Sequence, residues 1–334
     1  MKSSAIAHSN IALVKYWGRS RTHDPSLNIP STDSVGMTKL GESDDIRLLT
    51  HTTIEFSDVY EQDSATLDGV FLTGRAMERV LKVVNPLRTI AGISHRFKMM
   101  SRNDFPTQAG LASSASGFAA LTIATVDGLG ISLSKREISA FARLGSGSAA
   151  RSIHGGLVYW YKGDSHETSF ARQICGPTEF DMSAVIAIIH KGRKEVTSDV
   201  GHKSAHTSPF DRARVNISRK QAKDIEKAIL TDDFSVVGRI SEESSRYMHV
   251  VMMTSDPPLF YWHPNTLRLI KLIQKLRPSL ECYASVDAGP NVHCLCRPED
   301  AYELRKILDE TDYVNMTIVA GLAGGSHKTG EHLF

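Results

Sequence analysis

Residues 106–126, PTQAGLASSASGFAALTIATV, decide the fold prediction for this 334-residue chain. The first half of the stretch consists mainly of small residues, and the second half is an apolar run that predicts a helix. Small residues let a backbone approach a ligand closely, and a helix that follows them directs unpaired N–H groups and the positive end of its dipole at an anion. The stretch also fits a serine-rich turn that caps an ordinary helix. No Gly-Lys-Ser/Thr follows, which excludes a Walker loop.

The overall composition indicates a globular protein with two domains. Hydrophobic residues make up 41% of the chain and charged residues 23%, and both values are typical of globular proteins. Because the chain exceeds the length of one typical core, we expect domains at residues 1–180 and 181–334. The net charge of +2 favours neither nucleic acid nor an acidic membrane as a partner. No apolar run is long enough to span a bilayer, so we expect a cytoplasmic protein.

The four cysteines do not have the paired spacing of metal ligands. Cys294 and Cys296 alternate on a predicted strand, with Cys282 shortly before them. We therefore expect buried thiols in a reducing compartment.

Strand and helix signals alternate in both halves of the chain. Residues 65–74 predict a hairpin with its turn at Asp68-Gly69. Ser134, with Glu137 three residues later, predicts a capping box at the start of a helix. The pattern predicts that this helix spans residues 134–155, so that its end includes a second cluster of small residues, 145–152 (GSGSAARS). The alternation of strands and helices favours an α+β fold over a doubly wound sheet.

Three further stretches carry side chains suited to catalysis. Lys15 lies in an apolar segment, where its amine is either buried or reaches back to water. Arg151 follows two serines at a helix end, and its planar fork matches a carboxylate, although a surface arginine near a C-cap fits the same pattern. Asp287 lies between an apolar strand and a Gly-Pro turn, where an aspartate serves either as a turn-former or as a catalytic carboxylate.

Taken together, these stretches resemble a known family. Residues 106–121 are similar to the ATP-phosphate loop of the GHMP kinase superfamily. Four further segments are similar to one branch of it, the mevalonate diphosphate decarboxylases: 8–18 (HSNIALVKYWG), 144–160 (LGSGSAARSIHGGLVYW), 248–262 (MHVVMMTSDPPLFYW) and 285–292 (SVDAGPNV). The segments lie in order along nearly the whole chain, and that order makes the match specific.

The resemblance implies a fold, a reaction and partners. The fold is the GHMP kinase fold, in which a ribosomal protein S5 domain 2-like N-terminal domain and a ferredoxin-like C-terminal domain flank a cleft. The family transfers the γ-phosphate of ATP to the tertiary 3-hydroxyl of a 5-phosphorylated mevalonate, and loss of that phosphate and of CO2 leaves an isopentenyl product. The resemblance thus implies ATP and Mg²⁺ as cofactors, phosphorylated mevalonate as the small-molecule partner, and a homodimer.

The resemblance also implies roles for individual residues. Asp287 orients or deprotonates the 3-hydroxyl, and Lys15 holds that carboxylate ionised. Asn10 and Arg151 bind the C1 carboxylate. The remaining substrate-binding residues are Ser146, Tyr16, Arg19 and Asp199, of which Ser146 and Arg19 face the 5-phosphate. ATP phosphates are bound by Gly110, Leu111, Ala112, Ser113, Ser114 and Ser116, and Ser113 is the predicted Mg²⁺ ligand.

The chain departs from the family pattern at the substrate-phosphate end. Where the family typically carries Ser-Arg-x-Gly-Met, residues 198–202 read SDVGH. The family arginine usually contacts the substrate diphosphate, and Asp199 in its place repels it. We therefore expect mevalonate 5-phosphate as the substrate and isopentenyl phosphate as the product. Milder departures are Arg19 for Lys, Thr32 for Asn and Gly36 for Ser.

Three alternatives remain open at this stage. Lys191, Arg193 and Lys194 lie just upstream of Asp199, and they offer charge that would let the diphosphate serve as substrate. A GHMP small-molecule kinase, similar to a mevalonate 3-kinase, would stop after phosphorylation. A ligand sensor would use the fold for binding alone.

Overall fold

The structure is a computed structural model that describes residues 1–43, 46–105, 113–190 and 196–334. Its strands are β1 Lys2–His8, β2 Asn10–Val14, β3 Ser34–Gly41, β4 Leu49–Ser57, β5 Ser64–Leu67, β6 Val70–Phe71, β7 Arg96–Asn103, β8 Leu157–Trp160, β9 Ala171–Cys175, β10 Ser183–Ile188, β11 Cys282–Val286, β12 Val292–Cys296, β13 Met316–Leu322 and β14 His327–Thr329. Its helices are α1 Gly74–Ala91, α2 Ser113–Gly128, α3 Lys135–Gly145, α4 Ala149–Ser152, α5 Ser198–Ser204, α6 Asp211–Leu230, α7 Phe234–Met253, α8 Pro264–Leu276 and α9 Ala301–Asp309.

The strands form two sheets, and the predicted α+β class is confirmed. The first sheet has the order β14-β1-β4-β7-β5-β6. The second has the order β11-β12-β10-β13-β3-β8-β9, and β2 pairs with β3 beside it. The second sheet thus combines strands from before and after residue 180, while β14 returns to the first sheet. The predicted division at residue 180 runs through a continuous sheet, and as a domain boundary it stays a prediction.

Helix α2 is the central helix of the first sheet's core. It lies against β1 and β4, and its alanines at 119, 120 and 124 are fully buried. Because α2 itself carries apolar or small residues on all of its faces, it is a buried helix rather than an amphipathic one. The start of this helix is therefore fixed in the interior, and it points at the cleft between the sheets.

The second sheet is covered on both faces. Met37 and Tyr283 lie on the face covered by α6 and α7. Cys282, Cys294 and Cys296 lie on the other face, with α8 and α9. These three cysteines are buried free thiols, as predicted, whereas the fourth cysteine, Cys175, is a free thiol that is only half-buried. Within the described ranges, no helix has the length and apolar content needed to cross a bilayer.

Two local predictions are confirmed in detail. Asp68 and Gly69 both have positive φ angles, of 50° and 82°, as a two-residue hairpin turn between β5 and β6 requires. Ser134 and Glu137 form the capping box of α3, in which each side chain binds the other residue's backbone N–H.

Two helix boundaries differ from the prediction. Helix α2 begins at Ser113 rather than after the small residues, so all three predicted loop serines, Ser113, Ser114 and Ser116, belong to its first turn. Helix α3 ends at Gly145, and the short α4 follows. A Cβ atom at Gly145 would lie 2.1 Å from Cδ1 of Phe118, and one at Gly147 would lie 2.6 Å from the hydroxyl of Tyr16. The glycines therefore let this segment pack directly against α2 and the segment after β2.

Helix α7 holds together two segments that are far apart in the chain. The Ser245 hydroxyl accepts a hydrogen bond from Val286 N (2.9 Å) and donates one to Val286 O (3.0 Å). The neighbouring Ser244 hydroxyl accepts one from Lys15 N (2.9 Å). Gly238 of the same helix lies against the Tyr283 ring in β11. Close packing of α7 on β11 thus fixes the backbone next to Asp287 and that of Lys15.

Replacing Gly238 with alanine tests this close packing. Alanine normally stabilises a helix by about 1 kcal/mol relative to glycine. Here the added Cβ would lie 2.0 Å from Cδ2 of Tyr283, so we expect the free energy of unfolding to fall by about 1–3 kcal/mol. Urea denaturation measures this change.

The matched control is Gly117→Ala in α2, where the added Cβ has no described atom within 4 Å. This variant should keep or gain stability. A Gly238→Ala protein as stable as the parent would contradict the packing of α7 on β11.

Candidate active site

A cleft of about 870 Å³ lies where the two sheets meet. Its walls come from the segment after β2, the start of α1, the first turn of α2, the α3–α4 junction, α5 and the turn after β11. The volume falls within the range typical of small-molecule sites. Apart from Lys15, Asn10 and Ser116, every predicted site residue that the structure describes lines this cleft.

Lys15 and Asp287 meet at the floor of the cleft, as the resemblance implies. Lys15 Nζ lies 2.7 Å from Asp287 Oδ1, and it also donates to Ala12 O (2.7 Å) and Ser285 Oγ (2.8 Å). The Lys15 side chain is 1% exposed, whereas that of Asp287 is 34% exposed. Lys15 therefore does not reach water, and the carboxylate faces the cleft. The catalytic roles of the two residues stay predictions.

The electrostatics of this pair keep the carboxylate ionised. Burial acts to raise the pKa of Asp287, but the neighbouring Lys15 ammonium, together with His293 and Lys39, outweighs burial and lowers that pKa to about 2. Burial lowers the pKa of Lys15, and the Asp287 charge partly restores it. Near neutral pH, Asp287 is therefore a hydrogen-bond acceptor for a hydroxyl group in the cleft.

Arg151 lies beside this pair and is held rigidly. Its Nε and Nη2 donate to Asn10 Oδ1 (3.2 and 3.0 Å), and its Nη1 donates to Ser34 Oγ (2.8 Å). The Asn10 amide donates in turn to Ser152 Oγ (2.7 Å) and Ser148 O (3.0 Å). Asn10 is thus buried behind Arg151 and orients it, while Arg151 lines the cleft. A Cβ at Gly36 would lie 2.7 Å from Arg151 Nε, so the glycine at this position leaves room for the guanidinium.

The first turn of α2 presents hydroxyl groups to the cleft. Ser113 and Ser114 line it, and Ser114 Oγ lies 3.2 Å from Ser146 Oγ. Ser116 does not line it, in contrast to the prediction: it is fully buried, and its hydroxyl lies 2.7 Å from Thr50 Oγ1. Two residues along a helix correspond to a rotation of about 200°, which turns Ser116 away from Ser114. Three predicted ATP-binding residues lie outside the described residues: Gly110, Leu111 and Ala112.

These hydroxyls fit the ATP and Mg²⁺ that the resemblance implies. The start of a helix offers free N–H groups for phosphate oxygens, and serine oxygens are hard ligands that suit Mg²⁺. Across the described part of the chain, no cluster of three His, Cys, Asp or Glu side chains is arranged to hold a metal ion. A Mg²⁺ ion in this cleft would therefore be held largely by phosphate oxygens, with Ser113 as the predicted protein ligand.

Another part of the cleft lining is rich in arginine. Arg19 and Arg75 both form ion pairs with Asp199, and Arg19 Nε donates to the Tyr16 hydroxyl (3.4 Å). Arg79 donates to Gly145 O (2.9 Å), and burial together with the charges of Arg19 and Arg75 lowers its pKa to about 10.

The pairing of Asp199 corrects one part of the sequence argument, which treats its charge as unpaired. The carboxylate neutralises two cations of the cleft instead of facing it alone. The upstream basic residues Lys191, Arg193 and Lys194 lie outside the described residues.

His202, which stands where the family typically has Met, packs between two aromatic rings. Its ring centroid lies 4.3 Å from that of Tyr16 and 4.6 Å from that of Trp17. Its Nδ1 accepts from Gly18 N (3.0 Å), and burial lowers its pKa well below the usual value. His202 is therefore neutral, and it keeps the Tyr16 side of the cleft rigid without adding charge.

Sequence reasoning missed several residues of this site. Ser285 was detectable, because it lies two positions before Asp287, and alternate residues of a strand share one face. Ser244 and Ser245 sit in a polar stretch of α7 without a distinctive local pattern. Arg75 opens α1, far in sequence from Asp199, and only tertiary packing brings the two together.

Two family models match the chain and together span most of it. Residues 7–171 match the diphosphomevalonate decarboxylase-like N-terminal domain. Residues 184–322 match the mevalonate 5-diphosphate decarboxylase C-terminal domain.

Individual proteins show the same likeness. The phosphomevalonate decarboxylase of Haloferax volcanii is 30% identical over 88% of this chain and 87% of its own length. The diphosphomevalonate decarboxylase of Debaryomyces hansenii is 34% identical over 86% of this chain and 78% of its own. Further relatives, at 30–33% identity, are also diphosphomevalonate decarboxylases.

A solved structure extends the likeness to the fold. The structure of MDDEF in complex with MVAPP, AMPPCP and magnesium is 34% identical, covers 98% of this chain and 99% of its own, and superposes with a TM-score of 0.89. The superposition covers both sheets and confirms the α+β, GHMP-type fold predicted from the sequence.

Replacing Arg151 with glutamine tests its predicted role in binding the C1 carboxylate of the substrate. We expect kcat/KM to fall by about a hundredfold or more, because a misplaced reactant loses the benefit of orientation. The matched control is Arg212→Gln on the exposed surface of α6, which should leave the rate unchanged. Steady-state kinetics measure both variants. An Arg151→Gln rate near that of the parent would remove Arg151 from substrate binding.

Proposed function

This chain belongs to the mevalonate diphosphate decarboxylase family, and from that premise we propose that its substrate is mevalonate 5-phosphate, which it converts to isopentenyl phosphate. The coarser statement holds without this choice: the protein is an ATP-dependent decarboxylase of a phosphorylated mevalonate. A kinase that stops after phosphorylation, or a ligand sensor without activity, is not what the family match supports.

The ion pairs of Asp199 are the observation that carries the choice of the monophosphate. Its carboxylate engages Arg19 and Arg75 in the wall where the 5-phosphate is predicted to bind. A carboxylate there cancels positive charge that a second phosphoryl group would need, and like charges in a partly buried site are costly. A substrate with a single phosphate needs less positive charge from this wall. The Haloferax volcanii relative, a phosphomevalonate decarboxylase, is a precedent within the family.

The diphosphate is the second candidate. Most of the relatives are diphosphomevalonate decarboxylases. The wall also holds Arg79 beside Arg19 and Arg75, so it retains positive charge even with Asp199 in place. With this substrate the product would be isopentenyl diphosphate.

In the first step, the Asp287 carboxylate accepts a hydrogen bond from the tertiary 3-hydroxyl of the substrate. A carboxylate with a pKa of about 2 is a weak base, so we assign the proton transfer to a late stage, when the bond from the hydroxyl oxygen to phosphorus is forming. Lys15 stabilises the ionised carboxylate, and Arg151 holds the C1 carboxylate away from the reacting oxygen. ADP leaves with the electron pair of the broken P–O bond.

In the second step, the C3–O bond breaks, and inorganic phosphate leaves with its electron pair. Positive charge develops at C3, and the electrons of the C1–C2 bond form the new double bond as CO2 departs. Lys15 and the cleft arginines favour the anionic leaving group. Bound Mg²⁺ supplies charge neutralisation at the ATP phosphates, which the Ser113 and Ser114 hydroxyls and the start of α2 would hold. A homodimeric assembly stays a prediction.

A direct comparison of the two substrates tests this proposal. We expect the parent enzyme, supplied with ATP and Mg²⁺, to have the higher kcat/KM with mevalonate 5-phosphate. Asp199→Arg should shift the ratio of the two kcat/KM values towards the diphosphate by about tenfold or more, because it restores positive charge to the wall. The measurement is CO2 release with each substrate.

The control is Asp58→Arg in the exposed segment after β4, which changes the net charge equally and should leave the ratio unchanged. A parent enzyme that prefers the diphosphate would overturn the monophosphate proposal. A ratio that does not move in Asp199→Arg would show that Asp199 does not face the substrate phosphate.

A further inference from the structure

Lys39 and His293 form a buried pair of basic side chains that the reaction described above does not use. Lys39 lies in β3 and is 0% exposed, and His293 lies in β12 and is 2% exposed. Lys39 Nζ lies 3.0 Å from His293 Nε2. Among the described residues, His293 Nδ1 has no hydrogen-bond partner. Burial of two basic groups away from water costs free energy. A function in the neighbouring site would explain why the chain keeps them.

Sheet register places this pair directly behind the catalytic floor. His293 is opposite Ser285 across β11 and β12, and residues directly opposite each other point to the same face. The Ser285 hydroxyl accepts a hydrogen bond from Lys15, which contacts Asp287. Lys39, His293, Ser285, Lys15 and Asp287 thus form a continuous polar row that runs from the interior to the cleft.

The contact between the two nitrogens constrains how many protons the pair holds. In a hydrogen bond between Nζ and Nε2, one nitrogen donates and the other must be unprotonated. The pair therefore carries either one positive charge, as an ammonium that donates to a neutral imidazole, or none. Burial lowers the pKa of Lys39, the Asp287 charge partly restores it, and the Lys15 charge adds to the lowering, so that the pKa is about 7. The pKa of His293 lies well below its usual value, again because of burial.

Few charged groups in the described part of the chain act on the pair. Asp287 and Lys15 are the charged groups that act on both members. Beyond them, the charge of Arg151 in α4 lowers the pKa of Lys15. The charge of Lys15 in turn lowers the pKa of His249 in α7. The cross-strand neighbour of Lys39 on β13 is the apolar Leu322. The charge of the pair is therefore felt mainly by the two residues of the catalytic floor.

We propose that Lys39 and His293 are positioning residues for the decarboxylation: a proton held between them supplies a second buried positive charge behind Asp287. This charge is lost as the pH rises through neutrality. With the charge present, the floor attracts the anionic substrate and keeps Asp287 ionised beside Lys15. With the charge absent, Lys15 acts alone. The inference rests on the proposed role of Asp287, and it does not depend on which phosphorylated mevalonate is the substrate.

The pH profile of Lys39→Met tests this proposal, since methionine has a similar shape and no charge. In the parent, kcat/KM should fall by roughly three- to tenfold on the alkaline side of an inflection near pH 7. In Lys39→Met, the inflection should disappear, and kcat/KM should stay at the high-pH level of the parent. Lys98→Met on β7, where the side chain is exposed, is the matched control and should keep the parental profile.

Thermal unfolding detects the charge of Lys39 without any substrate. The folded-state pKa of Lys39 is lowered from its usual value of 10.5 to about 7, so protonation favours the unfolded chain. The parent should therefore lose Tm relative to Lys39→Met as the pH falls from about 10 towards 7, and the difference should level off below 7. This measurement stands even if neither mevalonate is turned over, an outcome that would defeat the proposed function instead.

A second variant covers the case in which Lys39→Met does not fold. His293→Leu removes the acceptor and leaves the amine in an apolar site, so the inflection of kcat/KM should move to lower pH. A parental profile without an inflection near neutrality would overturn the proposal. So would a Lys39→Met protein that changes Tm but keeps the parental inflection, because the pair would then have a structural role only.

Discussion

The ion pair between Lys15 and Asp287 is the interaction on which the rest of this structure depends. A buried ammonium is tolerated only when each of its protons has an acceptor, and here Ala12 O, Ser285 Oγ and Asp287 Oδ1 supply them. The two residues lie far apart in the chain. Helix α7 fixes both backbones through Ser244 and Ser245, so stability and chemistry share one set of contacts.

Charge is distributed unevenly around this pair. On one side, Arg151 is held by Asn10 and presents a fixed cation to the cleft. On another, Asp199 forms ion pairs with Arg19 and Arg75, and so reduces the positive charge of the wall where the substrate phosphate is predicted to bind. Behind it, the buried pair of Lys39 and His293 carries at most one positive charge. We therefore propose that substrate choice and pH dependence follow from which cations are free, rather than from how many the sequence contains.

Much of this could be predicted from the sequence, because the decisive signals are local. The Asp68-Gly69 turn and the Ser134–Glu137 box lie within a few residues, and both are confirmed. The segments around Lys15, Arg151 and Asp287 carry enough pattern to identify the family. The predictions that failed depend on tertiary contacts. Helix α3 ends at Gly145, which packs against Phe118, and the rotation along α2 turns Ser116 into the core. The partners of Asp199 and Lys39 come from strands and helices that are distant in the sequence, and no local pattern predicts these contacts.

Turnover by Asp287→Asn tests the central claim most directly, namely that this carboxylate acts on the tertiary hydroxyl. ADP formation and CO2 release would be measured with the substrate that the parent prefers, with nucleotide binding and Tm measured alongside. The account predicts that both product signals fall by about a hundredfold or more, while the protein stays folded and nucleotide affinity is nearly unchanged. A folded Asp287→Asn protein with a rate near that of the parent would contradict it.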